Sequence, residues 1–244
     1  MRNTVDIAGV PVDNLTMESA VIKAVQFLSE DRIHVIYTPN AEIMMEAHRN
    51  PELKNILSMA DMLVADGAGV VLASKILGRK LPERVAGFDL TKNILSISKN
   101  RSLKIFLFGG KPEVAKEAGA NIIESYPGVE ITGFRDGYFN ENDEDDTIER
   151  INSSGADILL VGLGAPKQEK WIHKNRERLK VRLCIGVGGS IDVFAGKAKR
   201  APEFFRKYSL EWLYRLYREP WRYKRMMDLP RFVILATRMR LTGN

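Results

Sequence analysis

Short apolar runs alternate with amphipathic segments along the first 196 residues of the chain. Residues 18–28 and 113–123 carry apolar side chains at helical spacing and predict crossover helices. We therefore expect an α/β fold, with a Rossmann-like, mostly parallel sheet flanked by helices. Val5 and Val10, with Gly9 between them, predict an extra hairpin in front of the sheet. The predicted buried strands are the runs that end in VIYT, MLVA, IFLF, ILLV and LCIGV.

The segment 197–244, called the tail below, has a different composition from the body at 1–196. It contains thirteen Lys and Arg and four Asp and Glu, a net charge of +9 in a chain of net charge +6. Aromatic side chains are interleaved with these charges, as in helices that lie on anionic membranes. Its longest apolar run, 232–236, is far shorter than the ~20 residues of a membrane span. We predict a separate α/β domain at 1–196 and a basic, aromatic, membrane-associating helical appendage at 197–244.

Polar residues and glycines follow the predicted strands directly. In an open α/β sheet, ligands bind beyond the carboxyl ends of the strands, where this chain places Thr38, Asn40 and Asp66. Glycine turns that lead into helices offer backbone N–H groups to phosphate, which predicts a nucleotide-type ligand. The candidate phosphate and nucleotide residues are Gly109, Gly110, Gly164, Gly189 and Asp192.

The same residues also have purely structural explanations. Glycine turns between strand and helix occur for geometric reasons, and Lys167 stands where a dinucleotide fingerprint requires its third glycine. Asp66 could cap the helix at 70–77, and Thr38 and Asn40 could cap the helix that follows them. An acidic residue beside glycine at a strand end is equally well placed for a general base. The residues alone leave both explanations open.

The acidic run at 141–149 contains Asp143 and Asp145, spaced like an Asp-x-Asp metal pair. A solvated first helical turn explains this run more simply, since acidic residues are favoured at helix N-termini. The histidines at 34, 48 and 173 lack the spacing of metal ligands, and the lone Cys184 lies in an apolar run. We therefore expect no metal site and no cofactor.

Seven ordered motifs together resemble the WecG/TagA/CpsF family of bacterial glycosyltransferases. The resemblance extends from about residue 4 to about residue 228, which makes it far more specific than any glycine pair. The motifs are TPNAEI (38–43), DGAGVVLASKILG (66–78), RVAGFDL (84–90), LFGGKPEVA (107–115), RDGYF (135–139), VGLGAPKQEKW (161–171) and GVGGSIDVFAGKAKRAPEFFRKYSLEWLYRL (186–216).

This resemblance implies an inverting, metal-independent transfer from a UDP-sugar donor to polyprenyl-diphosphate-linked N-acetylglucosamine. The motifs are most similar to the branch that adds N-acetylmannosamine in beta-1,4 linkage during wall teichoic acid synthesis. A different UDP-sugar, N-acetylmannosaminuronic acid or a hexose, is the alternative within the family. The implied location is cytoplasmic, peripheral on the inner face of the bacterial plasma membrane. The segment MRNTVDIAGVPVD agrees with this location because it lacks the pattern of a secretory signal.

The resemblance also implies roles for individual residues. Asp66 would be the general base, while Thr38, Asn40, Arg84 and Gln168 would line the reaction pocket. An inverting transfer is a single displacement, which needs one carboxylate to accept the proton of the acceptor hydroxyl.

Three tail arginines are candidates for contact with the substrate diphosphate. Arg215, Arg222 and Arg225 are spaced by seven and three residues, which places them within one arc of a helix. Their guanidinium groups suit phosphate. Pro220 interrupts that helix, and a basic face that touches only lipid headgroups is the alternative.

Two other classes of protein fit parts of the sequence. A basic, aromatic tail is also typical of single-strand nucleic-acid binding, but the glycine-rich strand ends lie in the acidic body, so we expect no nucleic-acid partner. An NAD-dependent oxidoreductase is disfavoured by the missing third glycine and by the lack of an acidic ribose partner. Away from a membrane, we expect the apolar tail to bury itself by self-association into a homo-oligomer.

Overall fold

The computed structural model describes residues 2–99, 101–208 and 210–242, apart from the side chains at positions 141, 215 and 222. The strands in these ranges are β1 (Thr4–Ile7), β2 (Val10–Asp13), β3 (His34–Tyr37), β4 (Met62–Leu63), β5 (Leu103–Gly109), β6 (Val129–Arg135), β7 (Ile158–Gly162) and β8 (Leu183–Gly186). The helices of the body are α1 (Met17–Phe27), α2 (Ala41–Arg49), α3 (Pro51–Ser58), α4 (Ala68–Ile76), α5 (Gly87–Ser96), α6 (Val114–Ser125), α7 (Glu144–Ser153), α8 (Lys167–Asn175) and α9 (Ser190–Phe194). Those of the tail are α10 (Glu203–Lys207), α11 (Glu211–Arg218), α12 (Tyr223–Met226) and α13 (Asp228–Thr242). Short 3₁₀ turns lie at Ile97–Lys99, Glu141–Asp143, Arg176–Arg178 and Pro220–Arg222.

Strands β3 to β8 form one parallel sheet in the order β4-β3-β8-β7-β5-β6. Helices flank this sheet, which confirms the predicted Rossmann-like α/β fold. Strands β1 and β2 form the predicted antiparallel hairpin, with Val5 opposite Val12. Because β3, β8 and β7 are neighbours, the loops that follow them meet near the middle of the carboxyl edge of the sheet.

The hydrophobic core consists of two layers, one on each face of the sheet. Successive side chains of a strand point to opposite faces, so Val35 and Tyr37 of β3 belong to one layer and Ile36 to the other. Phe106 and Leu107 of β5 are divided in the same way. Burial on both faces explains why these strands appear in the sequence as continuous apolar runs.

Strand β6 is not predicted by the apolar pattern. It is the edge strand beside β5 and is only partly buried, so charged residues and a glycine interrupt its apolar positions. Gly133 pairs with Phe106 of β5, and a Cβ at Gly133 would lie 2.5 Å from Cε2 of that ring. The glycine that weakens the strand signal is therefore required for this packing.

The final helix of the tail packs against α2 and α4 of the body. Phe232 and Ala236 are buried in the same core layer as Val35. Leu229 lies over Gly69 of α4, where a Cβ would come within 2.5 Å of the Leu229 Cδ1. The change of composition near residue 196 is thus not a break in the core, and the division into two domains there stays a prediction. Of the helices in the described ranges, none is sufficiently long and apolar to cross a bilayer.

Candidate active site

Asp66 lies at the carboxyl edge of the sheet, in the loop between β4 and α4. Its Oδ2 accepts a hydrogen bond from the backbone N–H of Gly87, the first residue of α5, at 3.2 Å. Its Oδ1 accepts one from Nη2 of Arg84 at 3.3 Å. The alternative in which Asp66 caps α4 is wrong, because Gly67 holds the N-cap position there without a side-chain hydrogen bond. The carboxylate instead satisfies the first N–H of α5.

Thr38 and Asn40 follow β3, the neighbouring strand, and approach the same place. The Oδ1 of Asn40 accepts a hydrogen bond from the N–H of Ile43 at 3.1 Å. Asn40 is therefore the N-cap of α2, the structural role that the sequence predicted for it. Thr38 packs against Gly87, where a Cβ would lie 2.6 Å from the threonine Oγ1. The predicted residues Thr38 and Asp66 therefore share Gly87 as a neighbour.

Arg84 is partly buried beside Asp66 and makes a second ion pair. Its Nη2 also donates to Oε2 of Glu211 in α11, at 2.6 Å. Burial acts to lower the pKa of Arg84, but the two carboxylates outweigh this effect and the pKa is raised above its usual value. The guanidinium is therefore a permanent charge positioned by two carboxylates. Nothing in the sequence pattern connects Glu211 with this site, because the two residues are 127 positions apart.

Gln168 lies in the first turn of α8, buried against the end of β8. Its Oε1 accepts a hydrogen bond from the N–H of Gly188 at 3.0 Å, and its Nε2 donates to Oε1 of Glu169 at 2.9 Å. Burial raises the pKa of Glu169 above its usual value. Because β8 pairs with β3, the Gln168 amide lies against the end of the strand next to the one that leads into Thr38. The sequence does not single out Glu169, since a glutamate between two lysines in KQEK is typical of a helix surface.

Three of the candidate phosphate-binding glycines lie at strand ends along the same edge. Gly109, Gly110 and Gly164 have φ values of 136°, 75° and 77°, which favour glycine for geometric reasons. A Cβ at Gly109 would also collide with the backbone of Gly162. Gly164 differs, because a Cβ there would meet no atom within 4 Å. Contact between these turns and a nucleotide stays a prediction.

The two remaining nucleotide candidates lie at the start of α9. Gly189 is the N-cap of this helix and Asp192 is in its first turn. The backbone carbonyl of Asp192 accepts hydrogen bonds from the N–H groups of Lys197 and Ala198, at 2.9 and 3.1 Å. This contact fixes the beginning of the tail next to the end of β8, and the role of both candidates in nucleotide binding stays a prediction.

The three tail arginines do not lie on one continuous helix. Helix α11 ends at Arg218, and Pro220 begins a 3₁₀ turn before α12, which confirms the interruption predicted at the proline. Arg225 is exposed on α12. The side chains of Arg215 and Arg222 lie outside the described part of the structure, so their contact with substrate stays a prediction.

Ion pairs hold the tail on the body at its beginning and at the start of its last helix. Arg200 makes a bidentate pair with Asp89 of α5, at 2.8 and 2.7 Å, and its guanidinium lies 4.6 Å from the ring centroid of Phe88. Asp228 at the start of α13 pairs with Arg49 of α2 at 2.5 Å. Burial acts to raise the pKa of both aspartates, but the arginines outweigh it and both pKa values are lowered. Both carboxylates thus remain charged at neutral pH.

The acidic run forms a 3₁₀ turn and the beginning of α7. Asp145 pairs with Arg178 at 2.5 Å and Glu144 with Lys174 at 2.6 Å, as expected for a charged first helical turn. In the part of the chain that the structure describes, no cluster of three or more His, Cys, Asp or Glu side chains is arranged to hold a metal ion.

An open parallel sheet with a carboxylate, a guanidinium and glycine turns at its carboxyl edge defines a Rossmann-like α/β enzyme. A family model described as "Glycosyl transferase WecG/TagA/CpsF family" matches residues 5–244. The chain belongs to this family, and the protein is a glycosyltransferase, as its motifs predicted.

Named relatives cover most of the chain. A protein of Bacillus spizizenii is 39% identical over 207 residues, which cover 85% of this chain and 80% of the relative. A Bacillus subtilis protein is 38% identical over 200 residues, 82% of this chain and 77% of the relative. A protein of Staphylococcus aureus strain MRSA252 is 36% identical over 231 residues, 94% and 90% of the two chains. All three are named N-acetylglucosaminyldiphosphoundecaprenol N-acetyl-beta-D-mannosaminyltransferase.

Proposed function

We propose that this enzyme transfers N-acetylmannosamine from UDP-N-acetylmannosamine to undecaprenyl-diphosphate-linked N-acetylglucosamine. The product has a beta-1,4 linkage formed with inversion, and the reaction belongs to the synthesis of the wall teichoic acid linkage unit. The names of the relatives support the acceptor and the transferred sugar. The observation that carries the proposal is the contact between Asp66 and Arg84 at the carboxyl edge of the sheet, since both residues lie in motifs that resemble the family.

The proposed chemistry is a single displacement. The 4-hydroxyl oxygen of the acceptor sugar bonds to the anomeric carbon of the donor while the bond from that carbon to the UDP oxygen breaks. The hydroxyl proton passes to Asp66, so one carboxylate is enough. The N–H of Gly87 and the guanidinium of Arg84 hold this carboxylate in place.

The departing UDP carries negative charge that fixed donors must stabilise. The glycine turns after β5 and β7 and the N-terminus of α8 lie along the same edge as Asp66 and offer backbone N–H groups for this purpose. Arg215, Arg222 and Arg225 are the proposed cationic contacts to the diphosphate. These groups replace a metal ion in the proposed mechanism.

A first test concerns the metal. Excess EDTA should leave the transfer rate unchanged, because the proposed mechanism assigns stabilisation of UDP to arginines and backbone N–H groups. The measurement is the initial rate with and without chelator in metal-depleted buffer. Loss of activity that Mg²⁺ or Mn²⁺ restores would contradict the proposal and make Asp143 and Asp145 candidate metal ligands again.

The tail is the proposed membrane-docking surface, on the inner face of the plasma membrane where the lipid-linked acceptor is presented. The basic residues of the tail attract anionic lipids, and its aromatic side chains enter the headgroup layer. Off the membrane, the same side chains would support self-association. The exposed aromatic residues of the tail include Phe204, Tyr208, Trp212, Tyr217, Trp221 and Tyr223.

The donor is tested with a panel of UDP-sugars. The protein is incubated with a water-soluble prenyl-diphosphate N-acetylglucosamine acceptor and one donor at a time, and the product is weighed by mass spectrometry. The proposal expects a mass increase of one N-acetylhexosamine, with UDP-N-acetylmannosamine preferred over its epimers. Preference for N-acetylmannosaminuronic acid or a hexose would keep the enzyme class and overturn the proposed donor.

A further inference from the structure

The site contains an acidic side chain from the tail that the proposed chemistry does not use. Glu211 accepts a hydrogen bond from Arg84 at 2.6 Å, and the same Nη2 of Arg84 reaches Asp66 at only 3.3 Å. Each of these three side chains has at most about a third of its surface exposed, so the interactions are weakly screened by water. The guanidinium is therefore shared unequally and bound more closely by the tail residue.

This unequal sharing matters for a general base. A carboxylate that is held closely by an arginine favours its ionised form and gives up the lone pairs with which it would take a proton. Glu211 draws the Arg84 charge toward itself and leaves Asp66 with a long contact. Of the two carboxylates that accept hydrogen bonds from Arg84, only Asp66 would remain if the Glu211 carboxylate were removed.

The ion pair between Glu211 and Arg84 forms only when the tail lies against the body. Glu211 is in α11, between the Arg200–Asp89 pair that fastens the beginning of the tail and the Asp228–Arg49 pair at the start of α13. A tail that has left the body carries Glu211 away with it. The charge environment of Asp66 therefore differs between the docked and the undocked tail.

We propose that Glu211 is a positioning residue that restrains Arg84 when the tail is docked and so leaves Asp66 free to accept the acceptor proton. This inference rests on the proposed function, in which Asp66 is the base. It adds that tail docking controls the base through one ion pair, separately from any contact of the tail with lipid or diphosphate.

The test compares full-length variants on the water-soluble acceptor without vesicles, with kcat measured across pH. Glu211→Gln should lower kcat by ~10- to 100-fold, a part of the ~10² to 10⁴ that a general base contributes. The pH dependence of kcat should also differ from that of wild type, because the Arg84 guanidinium then contacts the Asp66 carboxylate without competition from Glu211. Glu211→Asp, which keeps the charge, should recover part of the rate.

Two controls separate positioning from charge and from anchoring. Glu203→Gln makes the same change of charge at an exposed residue of the tail and should leave kcat and its pH dependence unchanged. Asp228→Asn removes a tail ion pair away from Arg84. The buried Phe232 and Ala236 of α13 still hold the tail on the body, so kcat and its pH dependence should stay at the wild-type values. A wild-type profile in Glu211→Gln, or an equal loss in Glu203→Gln, would overturn the inference.

The outcome also distinguishes this inference from the proposed function. Full activity of Asp66→Asn would refute the base itself, whereas an inactive Asp66→Asn beside an unaffected Glu211→Gln would refute only the role of Glu211. Docking is read without any substrate, as the rate at which trypsin cleaves the folded protein within the tail. Glu211→Gln and Glu203→Gln should both be cleaved at the wild-type rate, because the Arg200–Asp89 pair and the packing of α13 still hold the tail. Faster cleavage of Glu211→Gln would attribute its loss of kcat to undocking of the tail and contradict the inference.

Discussion

Two carboxylates near the site are held in opposite ways. Asp66 accepts hydrogen bonds on both oxygens, from Arg84 and from the first N–H of α5. Glu169 is buried beside the amide of Gln168, and burial raises its pKa. Burial beside the Gln168 amide suits Glu169 to holding that neighbour, whereas the role of Asp66 as the base is part of the proposed mechanism.

Replacement of Asp66 by asparagine should abolish turnover with little loss of donor binding. The amide keeps the shape of the side chain but cannot take the proton, and the loss of a general base lowers kcat by ~10² to 10⁴. The measurements are kcat on the soluble acceptor and the affinity for UDP. Asp31→Asn, exposed before β3 at the opposite edge of the sheet, is the control, and wild-type turnover in Asp66→Asn would refute its assignment.

Glu169 should make the protein less stable as pH rises. Its folded-state pKa is raised, so the folded protein keeps a proton that the unfolded chain releases near the ordinary glutamate pKa of about 4.3. Stability is therefore lost as pH rises from that value through the folded-state pKa. Glu169→Gln cannot titrate, and its free energy of unfolding in urea should depend less on pH than that of wild type. Equal pH dependence in the two proteins would exclude this explanation.

At the scale of elements, the position of α13 depends on small residues of the body. Gly69 lets Leu229 of α13 approach α4 closely, and Phe232 and Ala236 complete a core layer of the sheet. Asp228 adds an ion pair to α2. The last helix of the basic tail is thus held by apolar packing as well as by charge.

Gly69→Val should loosen α13. A Cβ at this position lies 2.5 Å from the Leu229 Cδ1 and 3.0 Å from the Ala41 Cβ, and such overpacking lowers stability by ~1–3 kcal/mol. Chemical denaturation gives the loss, and trypsin cleavage within α13 locates it. The double variant with Leu229→Ala removes the closer clash and should recover part of the stability; no recovery would place the strain elsewhere.

At the scale of the whole molecule, the tail is held against the body and also presents an exposed aromatic surface. Its contacts with the body include the Glu211–Arg84 and Arg200–Asp89 pairs and the packing of α13. Trp221 and Tyr217 are among its most exposed side chains. One segment therefore reaches the candidate site and also presents an exposed aromatic surface, which is the proposed membrane-docking surface.

Truncation after Gly196 should remove the proposed roles of the tail in membrane binding and in sugar transfer while leaving the sheet of the body in place. Every described strand precedes this point, so the sheet should still form, but loss of the buried Phe232 alone lowers stability by ~3–5 kcal/mol. The truncated protein should neither bind anionic vesicles nor transfer sugar efficiently, as vesicle sedimentation and the soluble-acceptor assay would measure. If the truncated protein folds and transfers sugar to the soluble acceptor as fast as the full chain, the tail serves only as a membrane anchor.

The arginine hypothesis has a narrower test in the full chain. Replacement of Arg215, Arg222 and Arg225 by glutamine should largely keep vesicle binding, because the other basic residues and the aromatic side chains remain. Transfer should fall if these guanidinium groups meet charge that grows in the transition state. Equal losses of binding and catalysis would indicate contact with lipid alone.

The sequence by itself determined five of the six strands of the parallel sheet, the hairpin and the edge at which the candidate site lies. Strands buried on both faces require continuous apolar runs, and polar residues directly after them must lie at the carboxyl edge. Ordered motifs were also enough to identify the family. The edge strand β6 was not predicted, because a half-exposed strand that contains Gly133 has neither a continuous apolar run nor a regular alternation of apolar and polar residues.

Only the tertiary structure decided which residues meet. Asp66 accepts a hydrogen bond from the first N–H of α5 and does not cap α4, Glu169 is buried beside Gln168, and Glu211 reaches Arg84 from the tail. Local patterns report burial and periodicity, whereas an ion pair between residues 127 positions apart depends on how helices are placed around the sheet. The burial of α13 was hidden for the same reason, since its basic residues dominate the composition while Phe232 faces the core.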